Sequence, residues 1–417
     1  MTETRFPQVD YSKHPAFAPL LAQAGPGDDR IGRCVREIDE LCERFSAAPQ
    51  ALESFEAELR HRFEALESLV QSNLPSASAA LAKRLLTVTE SGLCERAAYE
   101  VKRARQAPRA VASPENARAL ERMRAAGFCT WRLPDHSIAE FREMLQKDIA
   151  EVRAMADANP GGRTAKALAL YHRPALRLKA MLKERGAFEV LEGYLGSRMD
   201  FYYFALEVSR PQQTWYRDCY QDIGLPMART VYIHSDADVG MLKGMLYLSD
   251  VGPKNGPFSY VEGSNTWRRS AFRYAAHRAI DTLSAEDFPL RPGNLEYELG
   301  YYRPRFKLPE ARRLLASLPR DFVGSSHFGD DLLDGTPESD LVLRHERRFF
   351  SSDANLVFFD GSLGLHRGGL VAEGERLALQ IGFRASDASA LQLARQHMVG
   401  RARAIVGGTL RRLGLRR

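Results

Sequence analysis

The spacing of apolar residues changes near Asp200, and this change limits the possible folds more than any other feature of the sequence. Before it, apolar residues recur at three- and four-residue steps, as at Leu52, Phe55 and Leu59, which is typical of amphipathic helices. After it, short aromatic and β-branched runs are separated by loops rich in glycine, proline and asparagine. Short strands joined in this way predict an antiparallel sandwich or barrel, and the helices before them place the chain in the α+β class.

The sequence predicts a helical part followed by a strand-rich part. Residues 1–27 contain four prolines and predict an extended arm. The predicted helices lie at 31–45, 52–70, 77–88, 93–105, 137–160 and 163–196. Between them, the stretch 113–132 predicts a helix, a stop at Gly127 and a strand. The predicted strands lie at 201–208, 229–234, 243–249, 257–261, 355–360 and 376–384.

The same pattern predicts three regions. Residues 1–107 form an N-terminal arm and helical region, which is either an interaction or dimerisation module or a layer packed on the core. Residues 108–387 form the main domain, and within it 264–352 is a long insertion that predicts a lid or a substrate subdomain. Residues 388–417 form a basic amphipathic tail.

The first candidate site is the tripeptide His234-Ser235-Asp236, which follows the apolar run 230–233. On a β-strand, residues i and i+2 project from the same face, so this imidazole and this carboxylate are able to bind one metal ion. Asp238 is a competing carboxylate, but a residue four positions from His234 is poorly placed on a strand. Asp236 is therefore the preferred ligand.

The second half of the site lies far downstream, where His366 is followed ten positions later by Arg376. Two imidazoles and one carboxylate are the ligand set of non-haem Fe(II) with open coordination positions. A planar guanidinium is suited to anchor the carboxylate of an acidic cosubstrate. The sequence therefore predicts a metal site of His234, Asp236 and His366, with Arg376 as a cosubstrate anchor.

His234-Ser235-Asp236, the run LKGMLYLSDVGPKNGPFSYVEGSNTW and the histidine and arginine separated by nine residues resemble the phytanoyl-CoA dioxygenase family of Fe(II)/2-oxoglutarate oxygenases. The resemblance extends from about Phe201 to Arg384. It implies a double-stranded β-helix, or jelly roll, with flanking helices. It also implies that Fe(II) binds at His234, Asp236 and His366, and that Arg376 binds the distal carboxylate of 2-oxoglutarate, with O2 as the remaining reactant.

The activity that this resemblance implies is hydroxylation of an unactivated C–H bond in a small molecule or biosynthetic intermediate, with release of succinate and CO2. Related halogenases have a small residue at the carboxylate position; Asp236 keeps the carboxylate, so halogenation is not predicted. Two alternatives stay open. One is a non-catalytic scaffold on a degenerate oxygenase fold, and the other is a cupin-like metalloenzyme of another class, which would not need Arg376.

Several residues are weaker candidates. Asp360 is either an acceptor that orients an imidazole or a turn-forming aspartate, and Gln380 and Ser264 are candidate cosubstrate contacts. His277, His327 and His345 are more typical of core or surface histidines than of ligands.

Charge and cysteine content bear on location and partners. The formal net charge is +6, and residues 388–417 contain seven arginines and no acidic residue. Such a tail favours an anionic membrane surface or phosphate groups on a substrate, or is simply a solubilising segment. Nucleic acid is not an expected partner, because the basic residues belong to no recognisable binding motif.

Five cysteines without a C-x-x-C spacing and a polar N-terminus predict a cytoplasmic protein. The oligomeric state is left open.

Overall fold

The computed structural model describes residues 4–8, 18–22, 29–105, 113–158, 164–211, 228–236, 240–287 and 332–385, with a few single positions between them. The helices are α1 (Ala18–Leu21), α2 (Asp29–Ala47), α3 (Leu52–Asn73), α4 (Ser76–Ala104), α5 (Pro114–Ala126), α6 (Asp135–Met144), α7 (Gln146–Ala158), α8 (Arg173–Glu184), α9 (Ala187–Leu195), α10 (Ala271–Asp287) and α11 (Pro337–His345). Asp238, His327 and the tail 388–417 lie outside the described residues. Across the described part of the chain, no helix has both the length and the apolar character that a membrane crossing requires.

The strands form two antiparallel sheets. They are β1 (Phe128–Trp131), β2 (Thr164–Ala167), β3 (Met199–Ser209), β4 (Leu242–Tyr247), β5 (Ser259–Val261), β6 (Glu346–Arg348), β7 (Leu356–Asp360), β8 (His366–Arg367) and β9 (Arg376–Ala385). The larger sheet has the order β1-β7-β4-β9-β3-β2, and the smaller has the order β6-β5-β8. An isolated antiparallel bridge between His234 and His366 adds the segment at His234 to the smaller sheet. The predicted combination of helices and antiparallel strands is confirmed.

The larger sheet is buried on both faces. Alternate side chains of its strands pack with helices α5 to α9 in one apolar cluster, among them Phe204, Leu206, Leu246, Phe358, Leu379 and Phe383. The side chains between them face the smaller sheet in a second cluster, among them Met245, Tyr247, Val357, Phe359 and Ala378. Burial on both faces explains why the FYYFALEV run of β3 lacks a polar face in the sequence. The larger sheet is therefore a central layer.

The N-terminal helices pack on the other side of the smaller sheet. Buried residues of α2, α3 and α4 form one apolar cluster with α10 and with Ile233, Val261 and Leu365. Polar contacts reinforce this packing, because the Arg268 guanidinium forms an ion pair with Glu43 at 2.9 Å. Helices α2 to α4 thus share one apolar core with α10.

Most predicted elements are present, and Gly127 ends α5 with φ 84 immediately before β1, as expected. Four predicted helices have the wrong bounds. The helices predicted at 77–88 and 93–105 are one helix, α4, which continues through Gly92 because packing on α3 and α10 outweighs the helix-breaking tendency of glycine. The region predicted as helical at 163–196 contains an edge strand, Thr164–Ala167, that pairs with β3, and two helices, α8 and α9. The region predicted as helical at 137–160 is also two helices, α6 and α7.

The strand predicted at 229–234 is also wrong. This segment is a series of turns that reaches the smaller sheet only at His234, and Tyr232 has a left-handed backbone with φ 64. The carbonyl oxygens of Arg229 and Val231 accept hydrogen bonds from the Arg367 guanidinium at 2.8 and 2.9 Å, so a side chain replaces the strand partner that a sheet would supply.

Gly92 provides a test of how α4 is stabilised. An alanine Cβ at this position would meet nothing within 4 Å. Gly92→Ala is therefore expected to stabilise the protein by roughly 0.5–1 kcal/mol, because alanine loses less backbone entropy on entering a helix. The measurement is the midpoint of urea unfolding of the full chain. A lower midpoint for the variant would show that the helix requires glycine at this position.

Candidate metal centre

His234, Asp236 and His366 lie together in the interior, as the sequence predicts. One ligand atom from each of these three residues lies within 4.8 Å of the others. Asp236 Oδ1 is 3.9 Å from His234 Nε2, and Asp236 Oδ2 is 3.5 Å from His366 Nε2. Two donors that each bind one ion at up to ~2.2 Å lie no more than about 4.4 Å apart. Both histidine–aspartate distances satisfy this limit, and all three side chains are less than 5% exposed.

Backbone hydrogen bonds join the two distant halves of the site. His234 N–H donates to His366 O at 3.0 Å, and His366 N–H donates to His234 O at 2.8 Å. Asp236 N–H donates to Gly361 O at 2.6 Å. From α10, the Arg278 guanidinium donates to the carbonyl of Asp236. Because the main chain sets these positions, the three donors are held before any ligand binds.

The histidine tautomers leave one ring nitrogen of each imidazole available. His234 Nδ1 lies 2.7 Å from the carbonyl oxygen of Tyr232, and His366 Nδ1 lies 3.4 Å from that of Gly364. A carbonyl only accepts, so each Nδ1 carries the proton and each Nε2 keeps its lone pair. Burial lowers the pKa of His234 well below its usual value and that of His366 to about 4. Both imidazoles are therefore neutral near pH 7, as metal ligands must be.

Asp236 is buried in its ionised form. Burial alone raises the pKa of its carboxyl, but the Lys243 ammonium and the two imidazoles outweigh burial and hold the pKa at about 2. Lys243 Nζ donates to Oδ1 at 2.7 Å. Within the described part of the chain, Oδ2 has no hydrogen-bond partner. A buried anionic oxygen without a partner is unfavourable, and a cation bound between the three donors would satisfy it. The residues therefore fit a divalent transition-metal ion.

Arg376 faces the same cavity as the two histidines of the candidate metal site. This cavity lies between the two sheets, has a volume of about 60 Å³, and is lined by residues that include His234, His366, Lys243 and Arg376. Arg376 is buried at the start of β9. Among the described residues, its Nε has no hydrogen-bond partner. The predicted anchor and the two predicted histidine ligands thus line one cavity.

Among the cavity residues that sequence reasoning missed are Glu207 on β3, Lys243 on β4 and Tyr232. The signal for the first two is a charged residue inside a mostly apolar strand, because a buried charge requires a partner or a ligand. Tyr232 gives no such signal, since a left-handed tyrosine is not evident from sequence. Its ring packs against His234 with centroids 4.7 Å apart.

The structure assigns different surroundings to the weaker candidates Asp360, Gln380 and Ser264. The Asp360 carboxylate accepts the backbone N–H groups of Ser362 and Leu363 at 3.0 and 2.8 Å, so the turn-forming interpretation describes it. Gln380 lines the cavity. Ser264 instead accepts the N–H of Leu365 at 2.8 Å and is not among the cavity residues.

No protein-family model matches the chain, and no curated protein sequence matches it. Solved structures similar to it include AviO1 from Streptomyces viridochromogenes Tue57, at 14% identity over 67% of this chain and 98% of that one, with a TM-score of 0.35. HygX from Streptomyces hygroscopicus, solved with nickel and 2-oxoglutarate, is 14% identical over 67% and 89%, with a TM-score of 0.34. The non-haem alpha-ketoglutarate-dependent epimerase SnoN from nogalamycin biosynthesis is 13% identical over 65% and 83%, with a TM-score of 0.34.

Proposed function

We propose that the chain is a non-haem Fe(II)/2-oxoglutarate-dependent dioxygenase that hydroxylates an unactivated C–H bond of a small molecule and releases succinate and CO2. One observation carries this proposal: two neutral imidazoles and an ionised carboxylate lie within 4.8 Å of one another, and both imidazoles line a cavity with Arg376. Two histidines and one carboxylate are the facial ligand set of Fe(II) oxygenases.

We further propose that the core is a double-stranded β-helix and that the main domain spans 108–387. The antiparallel order of both sheets and the position of the cavity between them support this architecture. The helices of 1–107 would then cover the smaller sheet, and the 264–352 insertion would contribute α10 behind the metal site.

The residues of the cavity have separable tasks. Iron, when bound, supplies the activation of O2 and the oxidative decarboxylation of 2-oxoglutarate. His234, Asp236 and His366 hold the ion on one side and leave positions open on the other. Arg376 binds the distal carboxylate of the cosubstrate. Aromatic walls such as Phe258 and Phe359 exclude water. Because Asp236 supplies the third ligand, hydroxylation is proposed instead of halogenation.

A second candidate function is a metalloenzyme that uses no 2-oxoglutarate. It is favoured by the ion pair between Arg376 Nη2 and Glu207 Oε1 at 3.0 Å, which gives the arginine a structural partner of its own. In that case the three donors would bind metal, but 2-oxoglutarate would not add to the metal complex.

Anaerobic titration separates the two candidates. Addition of Fe(II) and then 2-oxoglutarate is expected to give a weak visible charge-transfer band, because the keto acid chelates the ion. His234→Ala is expected to abolish this band. His345→Ala is the matched control, since His345 packs against Trp267 and is not one of the three donors. A wild-type protein that binds Fe(II) but gives no band would favour the second candidate, and succinate release across candidate substrates would identify the compound oxidised.

A further inference from the structure

Arg376 already has an anionic partner inside the protein. Its Nη2 donates to Glu207 Oε1 at 3.0 Å and to Ser209 Oγ at 2.8 Å, while its Nη1 donates to the carbonyl of Gly256. Glu207 and Arg376 are only 6% and 3% exposed. The guanidinium that is proposed to anchor a cosubstrate carboxylate therefore forms a buried ion pair with a carboxylate of this chain.

Neighbouring strands hold Glu207 in this position. Glu207 and Ser209 lie on β3 beside β9, and Ser209 is directly opposite Arg376 in the strand register. Ser209 Oγ donates to Glu207 Oε1 at 3.1 Å, and the Gln380 amide donates to Oε2. Both carboxylate oxygens of Glu207 are thus hydrogen-bonded, and the Arg376–Glu207 ion pair is held in place by residues of β3 and β9.

Arg376 does not neutralise two carboxylates in this arrangement. The Arg376–Glu207 pair is neutral, so adding a distal carboxylate beside it would bury an uncompensated negative charge, which is strongly unfavourable.

We infer that Glu207 is a built-in competitor for the cosubstrate: its carboxylate occupies Arg376 in the cosubstrate-free protein and leaves Arg376 when 2-oxoglutarate binds. This inference rests on the proposed function and adds a specificity-determining residue to it. Glu207 then sets the affinity for a dicarboxylate, because each binding event must displace an anion that is already paired. Keto acids without a distal carboxylate do not need Arg376 and are unaffected.

The test compares Glu207→Gln with the wild type, using Mn(II)-loaded protein and isothermal titration. Glutamine keeps the shape and removes the charge, so 2-oxoglutarate is expected to bind roughly 10-fold more tightly or better. The affinity for 2-oxobutyrate, which has no distal carboxylate, is expected to be unchanged. Asp200→Asn is the matched control, because Asp200 is also a buried carboxylate of β3, pairs with Lys179, and does not line the cavity. It is expected to leave both affinities as in the wild type.

Unchanged or weaker 2-oxoglutarate binding by Glu207→Gln would overturn the inference while leaving the proposed function intact. Absence of 2-oxoglutarate binding to both metal-loaded proteins would instead overturn the proposed function. A measurement on the wild type does not depend on how the variant folds. A crystal structure with Mn(II) and 2-oxoglutarate is expected to show the Glu207 carboxylate separated from the Arg376 guanidinium, and an intact pair in that complex would contradict the inference.

Discussion

Replacement of Asp236 with alanine is expected to weaken Fe(II) binding by more than ~100-fold, since loss of an outer partner of a metal ligand alone costs 10–100-fold. Asp236 is the one anion of the three-donor set, and it is the group that compensates the positive charge of a bound ion. The alanine variant would leave two neutral imidazoles facing the Lys243 ammonium. Metal binding would then be opposed by charge as well as by the missing ligand.

The measurement is competition for the metal against a chromophoric chelator under anaerobic conditions, with circular dichroism to verify that the variant is folded. Asp353→Ala is the control, because Asp353 is an exposed aspartate in the turn before β7. The control is expected to bind Fe(II) as the wild type does. Binding by Asp236→Ala within about threefold of the wild type would show that this carboxylate is not a metal ligand.

Gly361→Ala is expected to lower metal affinity by roughly 10–100-fold although all three ligands remain present. A Cβ at position 361 would lie well inside contact distance of Asp236 Oδ2, 3.2 Å from its Cγ and 3.5 Å from His366 Cε1. The main chain at Gly361 has little freedom to retreat, because its carbonyl accepts the Asp236 N–H at 2.6 Å. The carboxylate would therefore rotate away from the two imidazoles.

The same chelator competition tests this prediction, and Gly92→Ala is the matched control because it makes the identical substitution at a position with no neighbour within 4 Å. A crystal structure of Gly361→Ala is expected to show a changed Asp236 rotamer. Wild-type metal affinity in this variant would mean that the site tolerates a shifted carboxylate and that the close approach at Gly361 has no functional role.

The strand pattern after Asp200 and the four polar residues of the proposed site were predictable because each depends on local chemistry. Alternating or fully apolar runs bounded by turn residues locate β3, β4, β7 and β9 to within a few residues. His234, Asp236, His366 and Arg376 were found by residue type and spacing. The three donors lie together, and both histidines line one cavity with Arg376. The segment before His234 is nevertheless a set of turns, and within it only His234 pairs as a strand would.

Residue type, spacing and the flanking strand and turn pattern predicted the class of the fold and the donor set of the candidate metal site. The tertiary structure decided which buried charges pair: Lys243 forms an ion pair with Asp236, and Arg376 forms one with Glu207. The physical reason is that these pairs join strands that are distant in the chain but adjacent in the sheet or across the cavity, so no local pattern records them. A charged residue in an apolar strand indicates that the charge has a buried partner or ligand. Only the strand order and register determine which residue that partner is.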